Sequence, residues 1–273
     1  MKKLILILAL ALITVGAGFA QKVKLDPSKA KKNYKTQFTI SPKDSSVIIT
    51  NDTITFTPKK EGTEYTLSGY FNGQIVNKTK NTVFKLNNAF IENTSGAAAI
   101  YGEAKTEISA VKNTVNYLVS MGQSLSKTAA LQCKKNLEIG GSGTLYAIGS
   151  TYHGVKADDV KIKGSGTFYL QGTQEGSALN CHSVLSEKEK SFKAYFINSK
   201  NGIKADNTIS ISSGTFYFYD NEIALKTDTS KEDPTNKHEI ALLGGTIYTH
   251  GNSSLYLTEK GAYKVKSAKI SED

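Results

Sequence analysis

From residue 129 to residue 257, apolar and polar positions alternate in short runs separated by Gly, Asn and Asp corners, and the runs recur. A short anchor returns as Leu131-Gln132-Cys133, Val155-Lys156-Ala157, Leu179-Asn180-Cys181, Ile203-Lys204-Ala205 and Leu225-Lys226-Thr227, at steps of 24, 24, 24 and 22 residues. A second β-type run follows each anchor, beginning at Leu137, Val160, Val184, Ile209 and Ile240. A third begins at Thr144, Thr167, Lys193, Thr215 and Thr246. Three short strands per repeat of about 24 residues predict an all-β chain, a single right-handed parallel β-helix. Residues 47–119 are also rich in β-type runs, but their spacing is looser. The four Pro lie outside the repeated strands, as a ladder that uses every backbone N–H requires.

Alternation fixes which way each side chain faces. In the first strand Leu131 and Cys133, Val155 and Ala157, Leu179 and Cys181, and Ile203 and Ala205 face inward. Each buried branched aliphatic contributes ~1.5–3 kcal/mol. Cys133 and Cys181 fall in one column with Ala157 between them. At ~4.8 Å per coil their thiols stand ~10 Å apart, beyond disulfide reach, and they read as core filler. In the third strand Leu145, Phe168, Ala194, Phe216 and Ile247 point in, while Tyr146, Tyr169, Tyr195, Tyr217 and Tyr248 point out.

The ends of the chain read differently. Lys2 and Lys3, the apolar run Leu4–Val15 and a small-residue site ending at Ala20 have the build of a secretory signal. Twelve apolar residues are too few to span a bilayer, which takes ~20. No Cys follows the site to take a lipid. The expected organisation is a signal over 1–20, a basic flexible arm over 21–46 and the β-helix over 47–273. Ser230–Lys237 should protrude as a loop, and the first strands and the final YKVKSAKI should cap the stack. The expected location is outside the cytoplasm: periplasmic, secreted or on the cell surface. No membrane span is expected after signal removal.

Charge narrows the partners. The chain has 34 basic residues of the Lys/Arg type against 24 acids, and every one is Lys. A surplus of Lys favours an anionic partner such as an acidic or cell-wall polysaccharide. Nucleic acid is not expected, because export removes the opportunity and Arg, the usual reader of base edges, is missing.

Three outward columns are candidate chemistry. The Tyr column could give a glycan rings for its C–H faces and hydroxyls for its hydroxyls. It could equally stabilise the sheet beneath a loop or the N-terminal arm. Lys156 and Lys204, in a column with Gln132, Asn180 and Lys226, could meet uronate carboxylates, or form a solvated face. Asp158, Asp206 and Asp228 recur at the corner after the first strand. Oxygen ligands there suit Ca²⁺, and Asp also simply closes turns.

By these residues the chain resembles one family. The segments GTEYTLSGYFNGQIV and KLNNAFIENTSGAAAIY, then the HGVKADD and SGTFY repeats, are similar to exported carbohydrate-binding β-helix proteins first grouped as a domain of unknown function. The resemblance covers about residues 47–257. It implies cellulose- and pectin-binding, a fold shared with pectate lyases, and calcium as a possible cofactor. One departure is the start of each coil, where the family's Asp-Gly is replaced by His153-Gly154, Gly176-Ser177 and Asn201-Gly202.

The function expected is therefore non-catalytic binding of an acidic or β-linked polysaccharide. The alternatives are a pectate-lyase-like enzyme and a surface adhesin or structural protein. A lyase base is commonly Arg, absent here; Lys156 or Lys204 could replace it only with a lowered pKa. His153, His182, His238 and His250 form no metal spacing. An adhesin would need an anchoring segment, and none is expected after residue 257.

Overall fold

A computed structural model describes residues 25–123, 126–188, 190–228, 238–252, 254–258 and 262–272. The expected signal, the first residues of the expected basic arm and the whole of the expected 230–237 loop lie outside them. Apart from one five-residue helix, Pro27–Lys31, the chain is all β, in one large and mostly parallel sheet.

Three parallel ladders account for the pairing, and the repeat sets their register. In the first, Ile75 pairs with Ile100, then follow Leu131, Val155, Leu179, Ile203, Leu225 and Tyr256. In the second, Leu137 is followed by Val160, Val184, Ile209, Ile240 and Tyr263. In the third, Tyr70 is followed by Phe90, Tyr117, Tyr146, Tyr169, Tyr195, Tyr217, Tyr248 and Ser271. Each residue thus meets its counterpart one repeat away, in the register that the anchors predict. The looser spacing upstream has a cause: Ile100 pairs with Leu131, 31 positions on, so an insertion there hides the period.

The first strands pair antiparallel, Thr39–Ser41 against Thr63–Asn72 and Val47–Ile49 against Thr53–Phe56. YKVKSAKI, the expected cap at this end, is built of strands. Its strands, Ala262–Val265 and Lys269–Glu272, prolong the second and third ladders in parallel.

The core is the inward set of columns. Leu131, Val155, Leu179, Ile203 and Leu225 are all fully buried, as are Leu145, Phe168, Ala194, Phe216 and Ile247. Where the third ladder has only Ala194, the preceding Phe192 fills the space, 6.2 Å from Phe168 and 5.5 Å from Phe216 between ring centroids. Gly214 makes this possible: its φ is +87°, and a Cβ there would lie 2.5 Å from the Phe192 ring. Cys133 and Cys181 are free and buried. Burial raises both thiols above their ordinary range.

Candidate functional site

The third ladder carries the outward aromatic column. Tyr146, Tyr169, Tyr195, Tyr217 and Tyr248 stand in register, and the column continues upstream through Tyr117, Phe90 and Tyr70. Sequence reasoning missed these three because the insertions before them break the period. The signal was present in NYLV and NAFIEN, whose aromatic residues hold the same outward position in the alternation.

The rings are stacked. Centroids of Tyr117, Tyr146, Tyr169 and Tyr195 follow one another at 4.5 Å, Tyr195 and Tyr217 lie 4.3 Å apart, and Tyr217 and Tyr248 lie 5.0 Å apart. Interplanar angles along these pairs run from 4° to 14°. This changes what the column can offer. Strand spacing in a sheet is close to ring-stacking distance, so successive rings close each other's faces. What remains is a row of ring edges and phenol hydroxyls. Tyr195 is only 8% exposed, and its companions are half-buried. Burial, then the neighbouring phenols, pushes the Tyr146 hydroxyl up to about 12 and raises those of Tyr169 and Tyr195. These three stay neutral, and neighbouring hydroxyls bond one another, Tyr146 with Tyr169 and Tyr195 with Tyr217. Beside them runs a second outward column, Thr144, Thr167, Lys193, Thr215 and Thr246, which adds further hydroxyls.

The N-terminal segment covers the start of this column. Tyr34 meets Phe90 edge-on at 5.2 Å and Tyr117 at 6.0 Å, and its hydroxyl donates to the Val115 carbonyl at 2.8 Å. Lys31 lies 4.4 Å over the Tyr70 ring and 2.5 Å from the buried carboxylate of Glu92, which also accepts from the Tyr70 hydroxyl. Residues 25–35 are thus docked rather than a free arm. The cause is an aromatic and a Lys spaced to reach one rung.

The Lys column is less available than its alternation implies. Lys204 reaches Asp228 at 2.6 Å and Lys226 reaches it at 3.2 Å. Burial would raise the Asp228 carboxyl, but hydrogen bonds from Lys204 and then Lys226 outweigh it and hold the group below its ordinary range. Lys156 donates to the Lys127 carbonyl at 3.4 Å and has no ion pair among the described residues.

The Asp corner does not assemble a cation cage. Asp228 is committed to two ammonium groups, and burial raises the Asp206 carboxyl toward its neutral form. Among the described residues no three His, Cys, Asp or Glu side chains gather around one point. Asp158, Asp206 and Asp228, as placed, therefore do not fit the calcium that the resemblance implies.

Another charged cluster is structural. Glu138 sits between Lys105 at 2.7 Å and Lys163 at 2.5 Å, and Lys163 also reaches Glu107 at 3.0 Å. His153 is buried, its Nδ1 accepts from the Ser177 backbone N–H at 3.0 Å, and burial followed by nearby lysines lowers its pKa to about 3. It is a neutral acceptor at the start of a strand.

Residues 50–184 match the family described as "Carbohydrate-binding domain-containing protein". A search of curated proteins finds no match. Among solved structures the chain is similar to a polysaccharide lyase-like protein from C. thermocellum, solved as a gadolinium derivative. Identity is 20% and the TM-score 0.67, over 83% of this chain and 94% of that one. The likeness extends the shared fold over most of the chain.

Proposed function

We propose that this chain, whose residues 50–184 carry the carbohydrate-binding family's pattern, is an exported, non-catalytic polysaccharide-binding protein. Its three ladders wind as the coils of one right-handed β-helix, the hand that parallel crossovers take almost without exception. The observation that carries the reading is the row of phenol hydroxyls along the third ladder, flanked by the Thr column. Their spacing follows the strands, close to the length of one sugar unit, so an extended glycan lying along the row meets a hydroxyl at each step. Binding that repeats along a chain gains avidity from every contact. The exposed Lys193 stands in the column beside the row and, with Lys156 on the first ladder, favours an anionic or cell-wall glycan, while the commitment of Lys204 to Asp228 limits that contribution.

Retention on insoluble polysaccharide tests the reading. Tyr169→Phe/Tyr217→Phe keeps the stack and removes two hydroxyls. Retention should fall several-fold while the melting temperature stays within a few degrees. Retention should also survive about 0.5 M salt, where Lys attraction is screened. Undiminished retention by the double variant would remove the hydroxyl row from the mechanism. The lyase alternative is supported by the fold shared with the polysaccharide lyase-like protein. Release of unsaturated uronide from polygalacturonate, read by its absorbance, is its test, and no release is expected.

A further inference from the structure

The ladder leaves a separate cleft at the corner beyond its first rungs. Strand Thr63–Asn72 passes Tyr70 and ends at Asn72, and strand Thr82–Asn93 passes Phe90 and ends at Asn93. Just past them the chain turns, and a cleft of about 340 Å³ opens between Asp52, Asn72, Gln74, Asn93, Thr94 and Ser95. That volume lies in the range of small-ligand sites. Gly73 sets its shape: at φ +154°, a Cβ would lie 2.2 Å from the Asp52 carbonyl oxygen, so only glycine lets the two segments approach.

The polar groups of the cleft are held in place by one another. Asn93 is 5% exposed, and its Oδ1 accepts from the Ser95 backbone N–H at 2.9 Å and the Ser95 hydroxyl at 2.7 Å. The Asn72 Oδ1 accepts from the Thr94 hydroxyl at 3.3 Å. Gln74 is tethered through its Nε2 to the Ala98 carbonyl at 3.1 Å, and Asp52 Oδ1 accepts from the Thr53 hydroxyl at 3.2 Å. Each amide of the Asn pair is thus engaged through its oxygen, which fixes its orientation and leaves its NH₂ to donate. The second oxygen of Asp52 and the Oε1 of Gln74 remain as acceptors.

From this inventory we infer a second carbohydrate site, one that takes a neutral sugar. The inference rests on the carbohydrate-binding reading and places a distinct site within it. Two amide groups, a carboxylate and a further amide oxygen lining one cleft match a pair of sugar hydroxyls, each of which donates once and accepts once. Bonds to the Asp52 carboxylate are the stronger, charge-assisted kind. Asp52 is also the one ionisable group lining the cleft, so a uronate carboxylate would meet a like charge with no cation beside it. The cleft therefore selects against the acidic sugars that the Lys surplus attracts elsewhere. All of its lining falls within residues 52–97, inside the segment that matches the carbohydrate-binding family.

Isothermal calorimetry with soluble tetrasaccharides tests this on the full chain. The probes are neutral glucose, mannose and galactose tetramers, with a galacturonate tetramer as the charged comparison. Asp52 and Asn72 are exposed, so Asp52→Ala and Asn72→Ala should fold as the parent does, which circular dichroism checks. At least one neutral tetramer should bind the parent, each variant should weaken it tenfold or more, and the galacturonate tetramer should bind more weakly. Tyr169→Phe/Tyr217→Phe should leave this affinity unchanged. Four results would overturn the cleft: no neutral tetramer binds, the two variants bind as the parent, galacturonate binds equally well, or chelator abolishes binding. If the Tyr variant alone abolishes it, the hydroxyl row stands and the cleft falls.

Discussion

At the scale of single residues, Gly-Thr-Phe-Tyr places two aromatic side chains on opposite sides of one strand. Phe168 and Phe216 are 1% exposed, while Tyr169 and Tyr217 stack outside. Removing a core ring leaves a cavity, so Phe168→Ala or Phe216→Ala should cost ~3–5 kcal/mol. An outward Tyr read from alternation alone should be nearly free to replace. Stacking changes that expectation, because each inner Tyr contacts a ring on both sides and each such pair adds ~0.5–1.5 kcal/mol. Tyr169→Ala should therefore cost ~1–3 kcal/mol, less than the Phe variants but well above a solvated side chain. Urea denaturation of both variants gives the order. A Tyr variant as stable as the parent would mean that the stack holds nothing together.

At the scale of strands, the sequence shows pairing wherever the repeat is regular and loses it wherever an insertion intervenes. The anchors place Leu131, Val155, Leu179, Ile203 and Leu225 in their observed register. They could not place Tyr70, Phe90 and Tyr117, because a side chain's neighbour in the next coil depends on loop length as well as on alternation. The same limit hid the cleft, whose lining comes from corners of neighbouring strands. Ring stacking was hidden too, since alternation gives a direction and not a distance. His153 shows how a strand start uses a polar residue. Its folded pKa, about 3, lies below the unfolded value near 6.5. Between those values the unfolded chain binds the proton and the folded chain does not, so stability falls as pH falls through that window. His153→Gln keeps an acceptor for the Ser177 N–H without titrating. Melting temperatures should drop less for this variant than for the parent between pH 6.5 and 5. Parallel profiles would show that His153 is protonated in the fold.

At the scale of the whole molecule, each strand pairs with its counterparts one repeat before and after, so stability should be regional, as in other repeat architectures. The N-terminal segment belongs to one region only. Tyr34 rests on Phe90 and Tyr117, Lys31 binds Glu92, and the Tyr70 N–H donates to the Lys35 carbonyl at 2.8 Å. Gly69 admits this strap, since a Cβ there would lie 2.2 Å from the Gln37 carbonyl oxygen. The docked residues therefore brace the first rungs of the aromatic column and, among the described residues, make no contact near Tyr217. Tyr34→Ala removes the ring contacts and the bond to Val115 while leaving every parallel ladder intact. Hydrogen exchange should then accelerate at least several-fold across residues 63–93, where local opening becomes easier. Amides of Thr144–Gly149 should respond weakly, and those of Thr215–Tyr219 should keep the parent's rates. Uniform acceleration along the chain would instead make the ladders one cooperative unit, with the strap holding all of it. No change near Phe90 would mean that the segment adds nothing to the stability of the coils it covers.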